Sequence, residues 1–200
     1  MTIKMIVLIL SALEILQLVA GAEEGQRELR ARYTYREMQE NWRLDPYGRP
    51  IAESHRTKGF EVLMVNGQRY RKLVERNGKP LNAAEQWEVE QDMNRVQEQK
   101  QEAKSLRDLA RTHALSLRGG GDEPYVLSAK SEGESHEIRL DSKDFGILRQ
   151  ETISSKGTRM ALEFVRQSDG VYLPLRVEVE FQVGDVRGLQ VSKFSNFTAN

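Results

Sequence analysis

Cysteine is missing from all 200 residues. That absence excludes disulfides, thiolate chemistry, cysteine zinc sites and a lipidated N-terminal cysteine. Net charge is missing too: 30 acidic and 30 basic residues cancel, so no overall field draws the chain to nucleic acid or to an anionic membrane. Histidine is scarce and scattered, at His55, His113 and His136, and neither HExxH nor any paired-histidine spacing occurs. A metal site could be built from His136 with Glu134 and Glu137 beside it. A metal takes two to four such ligands, however, and a packed or surface histidine accounts for the pattern, so neither metal nor cofactor is expected. The serine signatures GxSxG and SxxK are absent. Asp141, Asp144 and Asp169 stand in turns, where side-chain-to-backbone hydrogen bonds explain them. Gly119-Gly120-Gly121 has no Gly-Lys-Ser/Thr after it and reads as a linker rather than a phosphate loop. With no catalytic constellation, the chain reads as non-enzymatic.

Long apolar runs are absent except at the start. Lys4, the run Met5 to Val19 and the small-residue site Ala20-Gly21-Ala22 match a secretory signal, residues 1–22, cleaved after Ala22. Glu14 and Gln17 interrupt that run, and an uncleaved anchor is the alternative. The run is shorter than the roughly 20 residues a membrane helix needs. No other segment can span a bilayer. Residues 23–200 are then one domain in the periplasm or outside the cell.

That domain is organised around Val171 to Val183, where every odd position is apolar and the even positions are mostly polar. A period of two is a strand with one covered face. At about 3.3 Å per residue it is roughly 43 Å long, and a strand of that length must twist and curl. Shorter alternating runs separated by turns fill residues 124–198, the pattern of a meander. Upstream, Phe60 to Val65 and Gln68 to Arg76 flank Asn66-Gly67, a hairpin-turn pair, and Asp45-Pro46-Tyr47-Gly48 is a turn. Asn82 and Glu85 form a capping-box pattern ahead of a charged segment without proline or glycine, predicting one long helix over about 83–113. Its apolar stripe is thin: Val89, Met93, Val96, Ala103, Leu106, Ala110. The fold class expected is α+β: a curved antiparallel sheet, or half-barrel, under one long charged helix. Most aromatics, Trp87 among them, are expected in the core. A curved sheet with so thin a lid leaves apolar concave surface uncovered, and such surface takes acyl chains or hydrophobic peptides.

The run Asp141 to Arg149 (DSKDFGILR) and the run Asp169 to Val177 (DGVYLPLRV) resemble, respectively, a turn-and-strand and a long-strand entry of the bacterial outer-membrane lipoprotein-sorting proteins, the LolA-like periplasmic carriers. The ending Val191 to Phe197 is similar to their last strand. The resemblance implies an open half-barrel that holds acyl chains under helices, although one helix is legible here where the carriers have several. It implies a ligand-binding concave face lined by Met160, Leu162, Phe164, Leu173, Leu175, Val177, Val179 and Phe181. The partner implied is a lipid or a lipoprotein acyl chain. The alternatives are an envelope protein-protein module using the helix 83–113, or a hydrolase whose site residues are not legible. An interior packed solid by the chain's own side chains would remove the carrier reading.

Overall fold

The computed structural model describes residues 11–65, 68–94 and 106–199. The chain begins with α1 (Ala12–Arg30), β1 (Tyr33–Arg43), a single 3-10 turn (Ala52–Ser54), β2 (Arg56–Val65), β3 (Gln68–Arg76) and β4 (Lys79–Pro80). Two helices follow, α2 (Ala83–Asn94) and α3 (Leu106–Thr112). The rest is strand: β5 (Ala114–Gly120), β6 (Glu123–Lys130), β7 (Glu134–Leu140), β8 (Ile147–Ser154), β9 (Arg159–Arg166), β10 (Tyr172–Val183) and β11 (Val186–Ala199).

All eleven strands belong to one antiparallel sheet in the order β4-β3-β2-β1-β11-β10-β9-β8-β7-β6-β5. The sheet is curved and does not close on itself. It is two meanders joined where the first strand pairs with the last, Glu40 opposite Val191. The meander expected over 124–198 is present as β6 to β11. Asn66-Gly67 lies outside the described residues, but Val65 stands opposite Gln68 on either side of it.

Turn chemistry fixes the hairpins. Asp45 Oδ1 accepts from the backbone N–H of Tyr47 and of Arg49, both at 2.8 Å, and Gly48 takes φ +80°. The glycine triplet is not a linker: Gly120 pairs with Glu123 at the close of the β5–β6 hairpin. Gly119 has φ +82°, and a Cβ there would stand 2.3 Å from the Pro124 carbonyl oxygen. Glycine is placed there by sterics rather than by a need for slack.

The helical layer expected over about 83–113 is described only at its two ends. Asn82 and Glu85 do form the reciprocal cap, with both bonds at 3.0 Å. The helical segments described are α2 and α3, however, and 95–105, with Val96 and Ala103, lies outside the described residues. α2 packs against β3 near the edge of the sheet, where the Tyr70 hydroxyl donates to the Val89 carbonyl at 3.1 Å. Trp87 is therefore 62% exposed rather than in the core.

The inner layer is supplied by a third helix, α1. Ser11 caps it through a capping box with Glu14, and that bonding draws the Glu14 carboxyl below its ordinary range. The helix runs unbroken through Ala20-Gly21-Ala22. Its Ile15, Leu16 and Val19 are buried with Leu109 of α3 against Leu127, Ala129, Ile138, Leu140 and Ile147 of the sheet side. A segment read as a leader thus supplies core side chains.

Candidate functional site

Residues that pair directly across a sheet share a face, so the register gives the inner surface row by row. One row runs Leu117, Leu127, Ile138, Gln150, Leu162, Val177, Ser192, Gln39 from β5 to β1. The next runs Leu115, Ala129, His136, Thr152, Met160, Val179, Gln190, Asn41. Both rows are apolar at the β5 end and polar at the β1 end.

Burial divides the rows further. Leu127 and Ile138, beneath α1, are fully buried. Leu162, Val177, Met160 and Val179, over β9 and β10, are only half-buried. The inner surface is therefore fully covered by the chain's own side chains over β6 and β7, while Leu115 and Leu117 of β5 and Gln150 and Thr152 of β8 are half-buried. Over β9 and β10 it is only partly covered among the described residues. Beyond that strip the wall is polar. Glu37, 4% exposed, accepts two bonds from the Arg71 guanidinium at 2.8 and 2.7 Å, and Gln39 accepts a third at 3.0 Å. The Arg71 guanidinium also stands 4.2 Å from the centre of the Phe60 ring. Burial pushes the neighbouring Tyr35 hydroxyl above its ordinary pKa.

Of the eight residues expected to line the concave face, register places Met160, Leu162, Phe164, Val177 and Val179 together. Phe164 lies beneath the Arg30 guanidinium at 5.2 Å and packs against the α1 cluster. Phe181, two residues beyond Val179, shares the face at its far end, whereas Leu173 and Leu175 do not. Leu175 occupies a bulge: Pro174 pairs with Phe164 and Arg176 with Glu163, so Leu175 has no partner on β9 and is 44% exposed. The bulge reverses the phase of the strand. Leu173, opposite Val165, therefore faces away from Val177, and it is buried with Tyr33 and Val171 in a second cluster. Phe181 is at the far end, 37% exposed, with its ring where a Cβ on Gly188 would fall.

The C-terminal half of α1 is tied to the sheet by polar bonds. Gln26 donates to the Gly170 carbonyl at 3.2 Å and accepts from the Tyr172 N–H at 2.9 Å. Arg30 donates to the Tyr172 carbonyl and pairs with Glu23. Tyr172 is itself clamped, its hydroxyl donating to Asp144 at 2.9 Å, and burial pushes its pKa well up. Residues 12–22 hold by apolar packing, residues 23–30 by hydrogen bonds.

On the β7 part of this face, His113, Glu134 and His136 bring three ligand-type atoms within 4.8 Å of one another. Glu134 and His136 are near in sequence, whereas His113 reaches them from the end of α3. Glu178, Glu180 and Arg176 are on the outer face as expected, in an ion-pair lattice with Arg159, Glu151 and Arg149. Among the described residues no helix is long and apolar enough to cross a membrane.

The class of fold is an open curved sheet lined by helices on its inner face. No family model and no curated protein matches the chain. Solved structures similar to it include a LolA superfamily protein from Nitrosomonas europaea, at 12% identity over 96% of this chain and 94% of that one, TM-score 0.43. A domain named for outer-membrane lipoprotein sorting from Vibrio parahaemolyticus is 11% identical over 94% and 92%, TM-score 0.39. A DUF1329 family protein from Desulfovibrio piger is 10% identical over 92% and 93%, TM-score 0.40. The likeness concerns the path of the chain and bears on no residue of the site.

Proposed function

We propose that this chain is an exported, non-enzymatic domain of the cell envelope that binds a lipid or lipoprotein acyl chain on its inner face. One observation carries the reading: the inner rows are fully buried only over β6 and β7, and the apolar strip on β9 and β10, set off by Gln150 and Thr152 of β8, is only half-buried among the described residues. The half-buried strip Met160, Leu162, Val177 and Val179 continues the surface on which Ile15, Leu16 and Val19 lie. Those three side chains model the guest: an unbranched run of methylenes gains the same burial free energy, about 0.8 kcal/mol per CH₂. Cleavage after Ala22 would remove them, leave Gln26 and Arg30 to hold the rest of α1, and lengthen the vacant trough.

The test is native mass spectrometry of protein purified from an envelope fraction, with displacement of a fluorescent fatty acid. Bound lipid that is lost in Leu162→Asp supports the reading. Ligand-free protein that displaces nothing, in both the intact and the processed form, removes it.

A second reading, a protein partner docked on α2, is favoured by Trp87, since an exposed indole on a charged helix suits an interface. Trp87→Ala would then abolish a pulled-down complex and leave fatty-acid binding unchanged.

A further inference from the structure

We propose that His113, Glu134 and His136 form a binding site for one divalent transition-metal ion, with zinc the best match. The ligand atoms are Nε2 of each histidine and one carboxylate oxygen, a His₂Glu set of the kind zinc takes with a fourth position open. One ligand-type atom from each residue lies within 4.8 Å of the others, and His136 Nε2 stands 3.3 Å from Glu134 Oε2. Donors bound at about 2.0–2.1 Å in a tetrahedron stand roughly 3.3–3.5 Å apart. One edge of the tetrahedron therefore has its final length, and only His113 has to close by a small amount.

The hydrogen bonds around the set select the ligating form of the rings. The Thr112 hydroxyl spends its one proton on the Asp108 carbonyl at 2.9 Å. Its contact with His113 Nδ1 at 2.7 Å must then be one in which the ring N–H donates. In the neutral ring the lone pair is left on Nε2, which is buried and has no hydrogen-bond partner among the described residues. On His136, Thr152 Oγ1 stands 3.0 Å from Nδ1, placed to accept its proton and leave Nε2 to ligate. Such outer hydrogen bonds fix tautomer and ring orientation in metal sites.

The alternative is a plain ion pair of protonated His136 with Glu134. It answers for Glu134 and fails to answer for His113. It leaves a buried lone pair unmet, with the two rings 5.1 Å apart. A shared cation satisfies all three donors at once. The ligand set joins two elements: Glu134 and His136 are two apart on β7 and so share a face, and His113 ends the last turn of α3, its N–H bonded to the Leu109 carbonyl at 3.0 Å. The metal would pin α3 to the sheet. This site is independent of the lipid reading, since the apolar strip and the histidine cluster use different side chains.

Full-length protein stripped with a chelator and titrated with zinc chloride in a calorimeter should bind one equivalent per chain, and its melting temperature should rise. Cobalt in place of zinc should give the visible absorption of a tetrahedral site. His113→Gln and Glu134→Gln should each weaken binding about 100-fold or more, while His55→Gln, at a histidine remote from the cluster, leaves it unchanged. Glu134, whose side chain is 28% exposed, is the substitution least able to disturb the fold, so it decides the matter if His113→Gln does not fold. Sub-stoichiometric zinc, or one equivalent that survives both variants, overturns the proposal.

Discussion

Single side chains set the polar wall of the trough. Glu37 is buried and Arg71 is its one cationic hydrogen-bond partner among the described residues, so Arg71→Met strands a carboxylate. A fully buried pair broken this way loses about 3–5 kcal/mol. The Arg71 side chain is 47% exposed, so the expected loss in urea unfolding is smaller, about 1–3 kcal/mol after screening. Glu37→Gln, which leaves no stranded charge, should be the milder variant. On the outer face, the Arg159 bond holds the Glu151 carboxyl below its ordinary range, aided by Arg149. A lowered carboxylate pKa stabilises the fold above the unfolded value and ceases to as pH falls through the folded one. The gap in melting temperature between the native chain and Glu151→Gln should therefore be present at neutral pH and close on acidification below about pH 4. A gap that is constant with pH would mean the bond contributes nothing.

Strands and helices behave differently from what their residues alone suggest. Along β10 the odd residues are apolar without a break, yet the bulge at Leu175 sends Leu173 and Val177 to opposite faces. Alternation of side chains records which residues are apolar but not where the backbone inserts an extra one. The consequence is testable within the sheet. Ile138→Asp, beneath α1 with no exposure, should cost about 4 kcal/mol or more and unfold the domain. Val179→Asp, half-buried on the strip, should leave a cooperative melt and abolish fatty-acid displacement. Equal melts for the two would mean that the inner face is filled throughout. In the β5–β6 hairpin, Gly119→Ala meets both a positive φ and the Pro124 carbonyl, and a loss of about 1–3 kcal/mol in chemical denaturation is expected.

At the scale of the whole molecule, α1 decides how much of the trough is available. Its first half contributes Ile15, Leu16 and Val19 to the core, and among the described residues it is held there by apolar packing. Its second half is hydrogen-bonded to Gly170 and Tyr172. Protein processed after Ala22 should therefore keep its sheet by far-UV circular dichroism, bind a fluorescent apolar dye more strongly than the intact chain, and melt at a lower temperature. Identical dye binding by the two forms would mean that the first half of α1 is not seated on the sheet in solution.

Period-two alternation and turn residues were enough to determine most of the strands of the C-terminal meander, the solvated outer face of Arg176, Glu178 and Glu180, and the cap at Asn82. These are local properties, fixed by residues within a few positions of one another. Three things belonged to tertiary structure. The run before Ala22 has the same apolar composition whether it leaves through a membrane or lies on Leu127 and Ile138, so composition could not assign it a place. The phase of β10 depends on which residue of β9 stands opposite. His113 reaches Glu134 and His136 only because α3 ends above β7, and no spacing along the chain records that two elements meet.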